Sequence, residues 1–225
     1  QNNMGAFGGP DIVTDGLIFA VDAGSTRSYP GTGTVATDLV GSKTGTLTNG
    51  VGFNSSNGGS WDFDGTDDYI NFGVTGFDFG TGNFNVSCWI KTTMTNASYT
   101  GVVSKYNGPG LWIQLTPTNK YVGFGWDGST FLLSTTTPVN NGAWRHISCQ
   151  RTGSTTAEIY VDGVLITSGA GSSASSDSTH QLDIGRINVS GRYFDGDISN
   201  TMLYNKALTA AEISQNYNAL KNRFI

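Results

Sequence analysis

The carboxylates are the residues to weigh first, because they could do acid–base or metal chemistry. The chain holds only two glutamates, Glu158 and Glu212. Its aspartates gather at Asp62, Asp64, Asp67 and Asp68, and again at Asp195 and Asp197. A retaining glycosidase needs two carboxyl groups about 5 Å apart, one as nucleophile and one as acid. Glu158 leads into the turn Tyr160-Val161-Asp162-Gly163, and Glu212 follows Thr209 at the spacing of a helix-capping box, so neither has a glutamate partner in sequence reach. Asp67-Asp68 and Asp195/Asp197 stand in Gly-rich turn contexts, where aspartate usually serves the backbone. Asp62-x-Asp64-Gly65-x-Asp67 has the spacing of the first half of a calcium loop. Position twelve, however, is Gly73 instead of a bidentate Glu. No metal site is assigned on that basis. The two histidines, His146 and His180, lie in neither a zinc-ligand pattern nor a nucleophile-elbow context, and no G-x-S-x-G occurs. The residue types therefore predict a protein that is not an enzyme.

Sugar recognition needs an aromatic face beside directional polar groups. In the run Leu111 to Thr116, alternation turns Leu111, Ile113 and Leu115 inward and leaves Trp112 and Gln114 outward. In the next run Val122, Phe124 and Trp126 turn inward, while Tyr121 points outward beside Gly123 and Gly125, which leave room above the sheet. Trp112, Gln114 and Tyr121 are thus the predicted glycan groove. Trp126 with Asp127, near a loop tip, is a secondary candidate, as are Tyr106 and Tyr193. The Asn-x-Ser sequons at Asn54, Asn85, Asn96 and Asn188 carry no weight in so Asn- and Ser-rich a chain. Cys88 and Cys149 occupy two similar strand patterns and read either as small buried hydrophobes or as a disulfide pair.

The elements that position these groups are strands. With Gly 32 and 13% charged residues, the 225-residue chain suits many short strands joined by tight turns. Strand-like runs recur at Leu17–Asp22, Ser60–Phe63, Tyr69–Phe72, Phe84–Lys91, Gly101–Lys105, Leu111–Thr116 and Tyr121–Trp126. They continue at Thr130–Ser134, Trp144–Arg151, Ala157–Val161, His180–Ile184 and Ile198–Tyr204. Leu17, Phe19 and Val21 share one predicted face. One helix is expected near the carboxyl end, started by Thr209 and Glu212 and presenting Ile213, Tyr217 and Leu220 as an apolar stripe. The segment Gly169–Thr179 reads as a flexible loop. Residues 1–14 are expected to form an arm and residues 15–225 a single domain. Because the chain begins at Gln1, loss of an upstream segment is expected. A net charge of -5 and a pI near 4.8, with basic residues scattered singly, argue against nucleic acid as partner. No apolar run is long enough to span a bilayer.

FDGTDDYI (63–70), FNVSCWIK (84–91), WRHISCQRTG (144–153), IYVDG (159–163) and FDGDISNTMLYNKALTAAEISQNYNAL (194–220) occur in this order. From about Asp15 to Leu220 the chain resembles the laminin-G-like and concanavalin A-like jelly rolls. That resemblance implies an all-β, two-sheet antiparallel sandwich with one short C-terminal helix. The stretch DGLIFAVDAGSTRSYPGTGT followed by DLVGSKTGTLTNG is similar to a subgroup found in structural proteins of tailed bacteriophages, notably marine ones. This narrower similarity implies a virion structural protein at the particle surface, a capsid decoration or fibre module. Such a protein would be an oligomer that contacts other virion proteins through its N-terminal arm. The alternative, carried by Trp112, Gln114 and Tyr121, is a secreted lectin-like adhesion module for host surface glycans. The contexts of Cys88 and Cys149 are similar to the pentraxin branch, which implies an intradomain disulfide. The matching pentraxin calcium loop, here Ile187 to Arg192, lacks acidic ligands. No cofactor is implied, although a structural calcium ion held by backbone carbonyls plus Asp22 or Asp197 would leave no trace in the sequence.

Overall fold

The computed structural model describes residues 10–106, 108–128, 132–153, 155–188 and 191–225. Alternating apolar residues become strands, and glycine or asparagine at positive φ reverses the chain between them. The first strands are β1 (Leu17–Asp22), β2 (Val35–Thr37), β3 (Thr44–Thr48), β4 (Gly52–Asn54), β5 (Ser60–Asp64) and β6 (Tyr69–Asn71). The middle of the chain forms β7 (Phe84–Lys91), β8 (Thr100–Ser104), β9 (Trp112–Leu115), β10 (Tyr121–Gly125) and β11 (Leu133–Pro138). The last strands are β12 (Arg145–Thr152), β13 (Thr156–Val161), β14 (Val164–Ala170), β15 (Asp183–Ile184) and β16 (Asp195–Tyr204), followed by helix α1 (Ala210–Leu220).

These strands form two antiparallel sheets. The first runs β14-β13-β12-β7-β16-β5-β4, with β1 also paired to β16; the second runs β11-β10-β9-β8-β15-β6-β3-β2. Between them lies the main core, including Phe19, Trp61, Phe63, Phe84, Phe124 and Trp126. Burying that much apolar surface is the dominant favourable term in folding. A second cluster, with Trp89, Trp144, Tyr160, Tyr204, Ile213 and Phe224, fills the space between the first sheet and α1. The all-β sandwich with its C-terminal helix matches the architecture expected from the sequence.

Helix α1 starts where predicted. The Thr209 side chain accepts from the Glu212 amide and the Glu212 carboxylate accepts from the Thr209 amide, closing a capping box. Because α1 covers the outer face of the first sheet, β7 is buried on both faces from Phe84 to Ile90. The helix also secures the segment before β1: Ile12 and Val13 are buried, and the Val13 amide donates to Asn216 Oδ1 at 2.8 Å. The Tyr204 hydroxyl donates to the Val13 carbonyl at 2.9 Å. The end of the expected arm is therefore part of the domain, while residues 1–9 lie outside the described residues.

Several local expectations need correction. Strands β2, β3, β4 and β14 have no strong apolar alternation, being Thr- and Gly-rich or near a sheet edge, and were not foreseen. The strand expected at Thr130–Ser134 lies later, at Leu133–Pro138, with residues 130 and 131 outside the described residues. A register shift between Leu17 and Phe19 rotates Leu17 off the Phe19/Val21 face, so it packs against the helix-side cluster instead. The Gly169–Thr179 segment is pinned: Ser176 is fully buried, the Ala174 carbonyl accepts from Arg151 at 3.0 Å, and the Ser178 carbonyl accepts from Lys105. No helix among the described residues is long and apolar enough to cross a membrane.

Candidate functional site

The predicted glycan groove does not form. Trp112 and Gln114 do point away from the core, yet they are only 3% and 4% exposed. Gly125 is the cross-strand partner of Trp112, and a Cβ placed on Gly125 would meet the indole at 2.4 Å. The glycine that was to leave room for a sugar makes room for Trp112. Gly101 pairs with Gln114, and the Arg186–Ile187 backbone occupies the position of a Gly101 Cβ, so that backbone covers this face. Trp126 is fully buried in the main core; its Nε1 donates to the Ser172 carbonyl at 3.1 Å, and the Arg151 guanidinium lies over its ring. Only Tyr121 and Asp127 of the five candidates keep partial exposure. The overlooked signal was a glycine opposite a tryptophan in adjacent strands, which in a sheet favours ring-on-backbone packing.

The cysteine pair also needs correction. Cys88 and Cys149 are free, buried thiols. They face the same core, but the β7–β12 register sets Cys88 opposite Ile147 and Cys149 opposite Val86. The thiols are thus diagonal neighbours, and diagonal Cα atoms lie about 7–8 Å apart in a sheet, beyond ordinary disulfide reach. Burial pushes the Cys88 thiol up to about 12, and burial together with neighbouring Cys88 pushes Cys149 well above its ordinary value. Neither is a thiolate nucleophile near neutral pH.

The glutamates serve internal structure. Glu158 Oε2 accepts from Gln150 Nε2 at 2.7 Å and from the Tyr160 hydroxyl at 3.0 Å. Glu212 caps α1 and also binds Lys206 Nζ at 2.8 Å. The buried acid Asp183 is held by Arg186 Nε at 2.8 Å and Asn71 Nδ2 at 2.7 Å, while the Arg186 guanidinium lies 3.3 Å above the Tyr69 ring. Two buried lysines fasten loops. Lys105 Nζ binds Asp78 and the Ser178 carbonyl, and Lys120 Nζ donates to the carbonyls of Asn96 and Ser98 (2.9 Å each) and to Asn96 Oδ1 (2.7 Å). Burial lowers the Lys120 pKa.

Asp195 and Asp197 sit on β16, not in a free turn, directly across from Asp64 and Asp62 of β5. Burial raises the Asp62 carboxyl above the usual range, and the charges of Asp197, Asp195 and Asp64 raise it further. Asp197 Oδ1 accepts from the Ser60 hydroxyl at 2.6 Å. A concave feature lies elsewhere. The two sheet edges β11 and β14 face each other across a cleft of about 340 Å³, walled by Val139, Val161, Val164 and Ile166. Thr135 and Thr137 add hydroxyls, and Arg145 and Asp162 form a 2.7 Å ion pair there. Sequence reading missed this cleft because its residues come from four strands that only the tertiary fold brings together.

Comparison with known proteins agrees with this architecture. Among solved structures, the binding domain of Paraclostridial Mosquitocidal Protein 1 superposes with a TM-score of 0.75 at 15% identity, covering 91% of this chain and 52% of that one. Trypanosoma rangeli sialidase in complex with 2,3-difluorosialic acid superposes at 0.71 and 15% identity, covering 94% and 34%. The binding domain of botulinum neurotoxin DC in complex with SialylT gives 0.69 and 14%, covering 92% and 52%. The chain thus spans about half of each toxin binding domain and about a third of the sialidase; at these identities the likeness concerns the fold. No curated protein matches by sequence. A family profile described as the concanavalin A-like lectin/glucanases superfamily matches residues 64–214, more than half of the chain, and the protein therefore belongs to this laminin-G-type family.

Proposed function

We propose that this chain is a non-catalytic structural and display module: a rigid jelly-roll knob on the surface of a bacteriophage particle, as a capsid decoration or fibre component. The observation that most supports this reading is how its reactive and aromatic groups are used. All five tryptophans, Trp61, Trp89, Trp112, Trp126 and Trp144, are at most 8% exposed, and both glutamates are held by internal hydrogen bonds. A domain with its chemistry turned inward suits a role in which rigidity is the product. The buried lysine staples and the pinned Gly169–Thr179 loop serve the same end. Residues 1–9 would provide attachment to other virion proteins. Mass spectrometry and immunogold labelling of purified particles test the reading; recovery of the protein solely as a free secreted species would overturn it.

A second reading, a lectin-like adhesion module for cell-surface glycans, is supported by the family and by similar folds in a sialidase in complex with sialic acid and a neurotoxin binding domain in complex with SialylT. In this chain the β11–β14 cleft, with its threonine hydroxyls and Arg145–Asp162 pair beside aliphatic walls, would serve in place of Trp112. Calorimetric titration with sialylated oligosaccharides decides it. Binding abolished by Ile166→Asp would support it, and silence at millimolar saccharide would reject it.

A further inference from the structure

We propose that Asp64, Asp67 and Asp68, at the turn between β5 and β6, form a binding site for a calcium ion. Carboxylate oxygens of these three residues lie within 4.8 Å of one another. Two oxygens bound to one ion are separated by at most twice the metal–oxygen distance, about 5 Å for calcium and about 4 Å for magnesium. Separations of at most 4.8 Å are within reach of one calcium ion, whose flexible shell accepts an irregular carboxylate set where magnesium demands near-ideal octahedral geometry.

An acidic cluster alone would be a solvated turn, but Asp68 is not solvated. It is 3% exposed, and while one of its oxygens accepts the Asp64 amide at 3.1 Å, the other, Oδ1, is buried with no hydrogen-bond partner. A buried carboxylate oxygen without a donor is costly, and a cation is the partner that such an oxygen lacks. Gly50 borders this oxygen, since an added Cβ there would make ordinary contact with Oδ1 at 3.7 Å. Asp64 and Asp67 are exposed, so an ion held between the three would complete its shell with water.

The surroundings raise the electrostatic demand. Asp64 faces Asp195 across the β5–β16 ladder, and Asp62 faces Asp197. Directly opposed like charges destabilise a sheet. Burial, and then the charges of Asp64, Asp67 and Asp62, push the Asp68 carboxyl up, whereas the Asp64 amide pulls it down. A divalent ion would relieve the whole patch. The twelve-residue calcium-loop count from Asp62 failed because it looked for ligands along the chain. The hairpin instead substitutes Asp68, folded back onto Asp64, for Asp62.

The test is calorimetry and thermal unfolding of chelator-treated protein with CaCl₂, and separately with MgCl₂ at matched ionic strength. One calcium per chain is expected to bind with a dissociation constant on the order of 10⁻⁴–10⁻³ M, the range of extracellular modules, at least tenfold tighter than magnesium. Asp67→Asn, an exposed substitution, and Asp68→Asn, which keeps an oxygen for the Asp64 amide, should each weaken calcium binding at least tenfold. In chelator Asp68→Asn should melt above wild type, because its buried charge is gone; in CaCl₂ that order should reverse. No calcium response up to 10 mM, equal affinity for magnesium, or undiminished binding in both folded variants would overturn the site. None of these outcomes bears on where the protein is displayed.

Discussion

The molecule has two buried layers built on opposite principles. Between the sheets, the main core is mostly apolar, its cluster ending at the margin in the fully buried Arg151, whose guanidinium lies over Trp126. Between the first sheet and α1, aromatic rings share space with polar groups. Trp89 stacks on Phe224 at 4.4 Å and on Tyr217 at 5.6 Å, while Asn85, Ser148, Gln150 and Asn216 lie buried among them, hydrogen-bonded to one another and to the backbone. His146 is fully buried there with neither ring nitrogen hydrogen-bonded. The difference teaches that the inner layer supplies stability, whereas the outer layer fixes the position of the helix at some electrostatic cost.

The largest expected effect belongs to the inner layer. Phe84 touches Phe79, Phe124 and Trp126, so Phe84→Ala should destabilise globally by about 3–5 kcal/mol in denaturant unfolding. A smaller loss than that of Phe224→Ala in the outer layer would break the comparison.

Acid should act through the outer layer. Burial lowers the His146 pKa to about 3 from its ordinary 6.5, so below pH 6.5 the unfolded chain takes up a proton that the folded chain refuses. Stability should then fall with decreasing pH, by about 1.4 kcal/mol per unit once well below pH 6.5, or about 2.3 kcal/mol in all between pH 6.5 and 4.5. Asp62, Asp68 and Asp183, whose carboxyls are raised by burial first, oppose this as the pH falls toward the ordinary carboxylate range, by favouring the folded state in acid. The difference between wild-type and His146→Leu stability curves isolates the histidine, and parallel curves would refute the assignment.

Removing the α1 cap by Thr209→Ala should cost about 1 kcal/mol, with faster amide exchange confined to the helix. The least energetic prediction concerns the thiols. Native protein should resist a thiol reagent at pH 8, and denatured protein without reductant should release two reactive groups, because Cys88 and Cys149 are unbridged. Zero groups on denaturation would restore the disulfide and make the inner layer covalently tied.

Much of the fold was legible because it rests on local rules. Ile113 and Leu115, and Phe124 with Trp126, alternate with period two, and all four are fully buried in the core. Thr209 and Glu212 mark the helix start by chemistry that involves only four consecutive residues. The edge strand β14 escaped notice because Val164, Leu165 and Ile166 are all exposed, giving no alternation to detect.

The candidate site was barely legible, and the reason is geometric. Sequence determined which residues point away from the core, Trp112 and Gln114 among them, because side-chain direction along a strand is a local property. Whether that outer face meets solvent, Gly125 or the folded-over Arg186–Ile187 segment was decided only when distant segments packed together. The same holds for Cys88 and Cys149, whose register depends on strand pairing, and for Asp68, whose unpaired oxygen arises from the hairpin and its neighbours. Burial and pairing are properties of contacts between segments, so only the tertiary structure sets them.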